Sequence, residues 1–303
     1  MSAISDQAEK LYENLNGPIK DDIILDIIKN NNLKNRIGIA QYYRAYYEQS
    51  LYEDINSKKG GDFGYCAAQM FLSPLEFCIH HLQLGLNKGN ECAFEMLTSK
   101  SIDELKIIEN AYKQVTGNEL RPEISKAFPG AIGKNLLNLF IYPRSPNPNP
   151  RKNECEGYAK KLIEKEPKLW VEDENLFKEI FIQRSPEELI LIARYYLKNS
   201  GNNLEKVIEK KTKGKQQMLL KEIVYNNIMP HELFAEKIYL AIKGAGTNEK
   251  ILSRILVSRS ELDMPLMREI YQFKYKISMK DDIIGDTSGF YQKLCVYLCD
   301  NKA

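Results

Sequence analysis

Apolar side chains recur along much of the chain at spacings of three and four residues, which is the pattern of one buried helix face. Phe234, Ile238 and Ile242 form one such set. Segments in which apolar and polar residues alternate, as they do in a half-buried strand, are scarce. The pattern therefore predicts an all-α protein.

The same helix start occurs three times. An acidic residue stands three positions after a serine in each copy, which is the capping-box arrangement. The three predicted N-caps are Ser101, Ser185 and Ser260. A tyrosine follows each serine after eleven positions, at Tyr112, Tyr196 and Tyr271. A fainter copy begins at Asn32 and reaches Tyr43 at the same offset, without the capping box.

These copies define four repeats, each of roughly seventy residues. We predict the repeats over residues 5–72, 73–142, 154–228 and 229–300, with about five helices in each. The segment 143–153 contains four prolines, which lack the amide hydrogen that a helix requires. We predict that this segment is a linker between two pairs of repeats.

The fourth repeat contains the candidate chemistry. Residues 243–247 read Lys-Gly-Ala-Gly-Thr, and Asp286 follows 44 residues after Ile242, within a Gly-Asp-Thr-Ser-Gly segment. Two glycines allow the loop backbone to turn its carbonyl oxygens inward. Carbonyl and carboxylate oxygens together are the ligands that Ca²⁺ prefers. Taken singly, the glycines are typical of an ordinary turn and Asp286 of a helix N-cap.

This combination resembles an annexin repeat, whose signature is Lys-Gly-x-Gly-Thr followed about forty residues later by Asp or Glu. The resemblance implies four repeats arranged as a slightly curved disc. It also implies a Ca²⁺ ion held by the main-chain oxygens of Ile242, Gly244 and Gly246 and by a bidentate Asp286. The implied function is peripheral, calcium-dependent binding of acidic phospholipid, with Ca²⁺ bridging the loop to lipid phosphate. Phe290 replaces an acidic residue common in the family, so no accessory site is expected there.

The first three repeats lack the carboxylate. The positions equivalent to Asp286 are Lys58, Ala127 and Lys211, and the corresponding loops have also diverged. In this loss the chain is similar to the alpha-giardins, protist annexins that associate with the cytoskeleton. The alternative function is therefore that of a scaffold on microtubules or other cytoskeletal filaments, with little or no lipid binding.

Lysines in place of the lost carboxylates suggest a second mode of attachment. An ammonium group near an anionic surface can contact lipid phosphate without a metal. The candidate residues are Lys58, Lys59, Lys211, Lys213 and Lys215, and the alternative is that they are ordinary solvated side chains. Trp170, the single tryptophan, is predicted either to enter the bilayer interface or to pack in the core.

Composition limits the remaining possibilities. The 43 basic and 41 acidic side chains give a net charge of +2, so no specific nucleic-acid partner is expected. The six cysteines form no metal-ligand spacing and are expected to be reduced, buried thiols. Neither a signal peptide nor a membrane span is recognisable, which favours a cytoplasmic protein, peripheral at the inner face of the plasma membrane or on the cytoskeleton. Catalytic motifs are absent from the sequence, so we do not expect an enzyme.

Overall fold

The computed structural model describes residues 3–146, 149–244 and 246–301, and within these ranges it contains twenty α-helices and no β-strand. The prediction of an all-α protein is therefore confirmed. Five helices lie within or at the edge of each predicted repeat, whose bounds stay a prediction.

The helices of the first repeat are α1 (Ala3–Asn16), α2 (Asp21–Lys29), α3 (Leu33–Tyr47), α4 (Leu51–Asp54) and α5 (Gly61–Gln69). Those of the second are α6 (Pro74–Lys88), α7 (Glu91–Thr98), α8 (Ile102–Thr116), α9 (Leu120–Ala127) and α10 (Ala131–Asn138). Those of the third are α11 (Lys152–Glu164), α12 (Glu174–Phe177), α13 (Pro186–Ser200), α14 (Leu204–Lys211) and α15 (Gly214–Ile228). Those of the fourth are α16 (Pro230–Ile242), α17 (Glu249–Arg259), α18 (Met264–Tyr275), α19 (Met279–Asp286) and α20 (Gly289–Asp300). Short π-helical segments, Ile55–Lys59 and Lys178–Ile182, continue α4 and α12.

Two of the three predicted capping boxes are present. Ser101 and Ser185 each accept a hydrogen bond from the main chain three residues on, and the glutamate at that position bonds back to the serine amide. The predicted start at Ser260 is wrong. Residue 260 is buried at the end of α17, and α18 begins only after Asp263. The physical reason is that Asp263 accepts from Arg259 and from His231, at 2.8 Å and 3.0 Å, and therefore does not close a capping box.

The described parts of residues 1–77 and 231–303 form one compact unit, and those of 78–230 form another. The first unit joins the first and fourth predicted repeats through a common apolar core. Phe63 of α5 and Phe290 of α20 meet there with ring centroids 5.7 Å apart. In the second unit Phe94 and Phe128 pack with centroids 4.7 Å apart. All six cysteines are buried thiols.

The predicted linker is non-helical in its described residues before α11, and Asn147 and Pro148 lie outside the described residues. Arg144 donates to the carbonyl oxygens of Phe181 and Arg184, at 3.2 Å and 3.0 Å. These contacts attach the start of the linker to the third predicted repeat. Among the described residues, no helix is both long enough and apolar enough to cross a bilayer.

Candidate functional site

The loop between α16 and α17 meets the C-terminal end of α19. Thr247 Oγ1 donates to Asp286 Oδ2 at 2.6 Å and lies 3.0 Å from the Asp286 carbonyl oxygen. Asp286 is the last residue of α19, and α20 begins after Ser288, so Asp286 is not the N-cap of the next helix. The structure therefore brings the two separated parts of the predicted site together, with the carboxylate exposed to solvent.

The two glycines make the loop tight. Gly246 has a φ of +103°, a conformation that side chains strain. A Cβ atom on Gly244 would lie 3.3 Å from the Gly246 carbonyl oxygen, so this close approach also favours glycine. The amide of Asn248 donates to the Ala241 carbonyl oxygen at 2.7 Å and closes the loop. Ala245, the middle residue, lies outside the described residues.

The donors at this loop fit a hard divalent cation. Ile242 is the last residue of α16, where carbonyl oxygens lack partners within the helix. Two helices, α16 and α19, end at the site, and helix C-termini carry partial negative charge. Oxygen donors of this kind suit Ca²⁺. The full ligand set of Ile242, Gly244, Gly246 and Asp286 stays a prediction.

Clusters of three or more His, Cys, Asp or Glu side chains that could hold a metal are absent from the part of the chain that the structure describes.

A second carboxylate, which the sequence analysis missed, lies next to the loop and pairs with its lysine. Asp282 is 3% exposed in its side chain, accepts from Tyr271 Oη at 2.6 Å and pairs with Lys243 Nζ at 2.8 Å. The hydrogen bond to Asp282 raises the pKa of the Lys243 ammonium. Burial, followed by the bond to Asp282, raises the pKa of Tyr271. Lys243 is thereby fixed beside the first glycine of the loop.

The first repeat contains the same tyrosine–aspartate pair, but a lysine stands at the position of Asp286. Tyr43 Oη donates to Asp54 Oδ2 at 2.6 Å, as Tyr271 does to Asp282. Lys58 stands four residues after Asp54, as Asp286 stands four residues after Asp282. Its Nζ atom lies 3.1 Å from Asp54 Oδ2 and 3.1 Å from Asn16 Oδ1. Lys58, although exposed to solvent, therefore links two segments of the first repeat.

Lys59 is also in contact with its own repeat. Its Nζ atom lies 3.5 Å from Asp21 Oδ2 and 5.9 Å from the centre of the Phe63 ring. Both lysines of the first repeat that were predicted to contact lipid therefore already have partners within the protein.

The other two repeats keep the register. Ala127 ends α9 and Lys211 ends α14, just as Asp286 ends α19. A glycine with positive φ stands three residues after each ligand position, at Gly61, Gly130, Gly214 and Gly289. Gly85, the glycine nearest the diverged loop of the second repeat, lies within α6. A Cβ atom there would come within 2.3 Å of the Ala93 amide nitrogen, so Gly85 serves helix packing.

The lysines of the third repeat differ in their surroundings. Lys211 and Lys213 are exposed at the junction of α14 and α15. Lys215 is also exposed, but its Nζ atom lies 5.2 Å from the centre of the Phe128 ring and reaches Gly89 in the second repeat. Lys215 therefore contacts the second repeat.

Trp170 is fully buried, which corrects the alternative in which its ring enters a bilayer. Its Nε1 donates to the carbonyl oxygens of Leu162 and Lys165, at 3.2 Å and 3.0 Å. The ring also packs edge-on against Tyr196, with centroids 6.0 Å apart. Both its apolar surface and its polar atom are satisfied inside the protein, so Trp170 is a core residue.

Comparison with known proteins identifies the family. A sequence model described as annexin matches residues 157–223 and 233–298. Annexin A13 of Mus musculus is 30% identical over 295 residues, covering 96% of this chain and 93% of the relative. Annexin A6 of Gallus gallus is 31% identical over 300 residues, covering 98% of this chain, which spans only 45% of that relative's length.

Solved structures give the same result for the fold. Chicken annexin V in complex with Zn²⁺ is 28% identical, with a TM-score of 0.89 and coverage of 99% of this chain and 96% of that one. Calcium-bound alpha-14 giardin has a TM-score of 0.79 at 16% identity, covering 98% and 99% of the two chains, and so shares the fold. Annexins as a family bind Ca²⁺ and, with it, acidic phospholipid. From its likeness to annexin A13 over nearly the full length of both proteins, this chain belongs to the annexin family.

Proposed function

We propose that this annexin attaches peripherally to acidic phospholipid membranes through one Ca²⁺ ion at the fourth-repeat loop. The ligands are the carbonyl oxygens of Ile242, Gly244 and Gly246 and the carboxylate of Asp286. The observation that carries the proposal is the 2.6 Å hydrogen bond from Thr247 to Asp286. It holds an exposed carboxylate against a loop whose glycines bring main-chain oxygens together.

Local charge supports a cation at this place. Lys243 pairs with Asp282 at 2.8 Å, and its ammonium therefore neutralises that buried carboxylate. Asp286 is left as an uncompensated negative charge among these three groups. The C-terminal ends of α16 and α19 add to it. The site therefore attracts a cation without a cluster of acidic side chains.

The role of the protein is to present these oxygens while leaving the site open to solvent on one side. Bound Ca²⁺ supplies coordination positions that phosphate oxygens of a lipid can complete. Calcium and lipid therefore bind with positive coupling. With a single carboxylate, affinity for calcium alone falls at the weak end of the protein range, on the order of 10⁻⁴ to 10⁻³ M.

The exposed lysines supply a smaller, metal-independent contribution. Lys211 and Lys213 of the third repeat are exposed to solvent, and a basic residue near an anionic surface contributes about 1 kcal/mol to binding. Lys58 and Lys59 contribute less, because each is already paired with an aspartate. This part of the binding should weaken as salt is added.

Sedimentation with vesicles tests the proposal. The wild type, Asp286→Ala and the charge control Asp300→Asn are mixed with phosphatidylserine vesicles in calcium or in chelator. Asp300 is an exposed carboxylate at the end of α20, away from the loop in sequence. We expect calcium-dependent sedimentation of the wild type and of Asp300→Asn, and its loss in Asp286→Ala.

Two results would overturn the proposal. One is sedimentation of Asp286→Ala equal to that of the wild type. The other is binding to microtubules in a parallel assay with no binding to vesicles, which would favour a cytoskeletal scaffold.

A further inference from the structure

The diverged loops of the first and second repeats each have a lysine ammonium where the fourth repeat presents Asp286 and Thr247. In the fourth repeat these two residues join the end of α19 to the loop after α16. The corresponding elements of the first repeat are the segment after α4 and the loop after α1. Lys58 joins them, since its Nζ atom lies 3.1 Å both from Asp54 Oδ2 and from Asn16 Oδ1.

The first and fourth repeats differ in where the lysine that pairs with the inner aspartate stands. In the fourth repeat the loop provides a lysine, Lys243, to the buried Asp282, and the ligand position provides an acid. In the first repeat the residue at the end of α1 is the neutral Asn16, and the ligand position provides the lysine to Asp54. The three groups of the first repeat therefore sum to zero charge. Those of the fourth repeat, Lys243, Asp282 and Asp286, sum to one negative charge. A set of groups with zero net charge does not attract a metal cation electrostatically.

The second repeat receives its ammonium from another repeat. Gly89 precedes the N-cap Asn90, as Thr247 precedes the N-cap Asn248. A Cβ atom on Gly89 would lie 3.2 Å from the Ala127 carbonyl oxygen. Gly89 therefore lies beside the carbonyl oxygen of Ala127, as Thr247 lies beside that of Asp286.

Lys215 occupies this place in the second repeat. Its Nζ atom lies 2.9 Å from the same Cβ position on Gly89. The same Nζ atom lies 5.2 Å from the centre of the Phe128 ring, which is a cation–π contact. Gly89 has a φ of +57° and no side chain, which leaves room for the ammonium. A residue at the start of α15 thereby fills the loop of the preceding repeat.

We propose that Lys58 and Lys215 are built-in cations that replace calcium in the first and second repeats, so that these two loops stay closed without metal, whereas the fourth repeat responds to calcium. The last clause rests on the proposed function of the fourth repeat. The first two loops then keep the same conformation with and without calcium.

Hydrogen exchange of the loop amides tests this proposal without lipid. The variants are Lys58→Met, Lys58→Arg and Lys215→Met, with Lys213→Met as the control for loss of an exposed lysine in the same region. Exchange is measured by mass spectrometry in chelator and in saturating calcium. Peptides covering residues 15–24, 84–93 and 241–252 report on the three loops.

In chelator we expect faster exchange of residues 15–24 in Lys58→Met and of residues 84–93 in Lys215→Met, on the order of tenfold, because each loses a charged hydrogen-bonding or ring contact. Lys58→Arg keeps a cation and should retain protection, and Lys213→Met should change neither loop. In the wild type, calcium should slow exchange in residues 241–252 alone.

Unchanged protection in both methionine variants would refute the proposal, because the lysines would then be ordinary surface side chains. Slower exchange of residues 15–24 or 84–93 when calcium is added to the wild type would also refute it, because metal would then enter those loops. These readouts separate the proposal from the function of Asp286. Failure of the vesicle assay would overturn the function proposed for Asp286 but not this proposal. Unchanged exchange in the lysine variants would overturn this proposal but not that function.

Discussion

Replacing Thr247 with valine removes one hydroxyl and almost nothing else. The hydroxyl lies 2.6 Å from Asp286 Oδ2, which is the ordinary length of a hydrogen bond from a hydroxyl to a carboxylate. Hydrogen bonds to charged groups contribute about 1.5–3 kcal/mol net, and solvent exposure of Asp286 reduces this to about 1 kcal/mol. Because 1.4 kcal/mol corresponds to a tenfold change, calcium affinity should fall about fivefold.

The assay is calorimetric titration of calcium into protein with phosphatidylserine vesicles present. Thr287→Val is a matched control, because Thr287 is adjacent to Asp286 but donates its hydroxyl to the Ile283 carbonyl oxygen at 2.5 Å. We expect Thr287→Val to bind calcium like the wild type. Equal affinities of Thr247→Val and the wild type would refute the reasoning that Thr247 positions the carboxylate, as would an equal loss in both valine variants.

Three further predictions concern the scaffold. Trp170→Ala should lower the free energy of unfolding by about 3–5 kcal/mol in urea, because it removes a fully buried ring, and a loss below about 1 kcal/mol would contradict the observed packing. Ser185→Ala should cost about 1 kcal/mol in the same assay through loss of a helix cap, and an unchanged midpoint would contradict the capping box. Tyr43 and Tyr271 have raised pKa values, chiefly through burial, so the folded protein keeps protons that the unfolded chain releases above about pH 10. Stability should therefore be unaffected by these groups below about pH 10 and fall as the pH rises further, and a phenolate absorbance titration in which every tyrosine ionises before unfolding would contradict this.

Local sequence was sufficient where the interaction itself is local. The capping boxes at Ser101 and Ser185 were predicted correctly because both partners lie within one helical turn. The meeting of the loop after α16 with the end of α19 was anticipated through resemblance to a known repeat and not through local pattern, and the contact of Thr247 with Asp286 was not predicted.

Long-range contacts decided the features that sequence reasoning missed. The predicted helix start at Ser260 is wrong because His231, far away in the chain, pairs with Asp263. Trp170 was left open between membrane and core, since the Leu162 and Lys165 carbonyls that accept its Nε1 proton become neighbours only in the folded chain.

The carboxylates that accept from Tyr43 and Tyr271 left a signal in the sequence that could have been found. Asp54 follows Tyr43 after eleven residues, and Asp282 follows Tyr271 at the same distance. That repeated tyrosine–aspartate spacing predicts a common frame in the first and fourth repeats. Lys215, in contrast, fills a loop of another repeat, and no spacing within its own repeat indicates this contact.

The number of calcium ions bound per vesicle-associated chain tests the central claim most directly. Equilibrium binding of radioactive calcium to protein on phosphatidylserine vesicles, corrected for the vesicles alone, gives this number for the wild type and for Asp286→Asn. The account predicts one ion per wild-type chain and none in the variant. Two or more ions in the wild type, or one ion retained in Asp286→Asn, would contradict it.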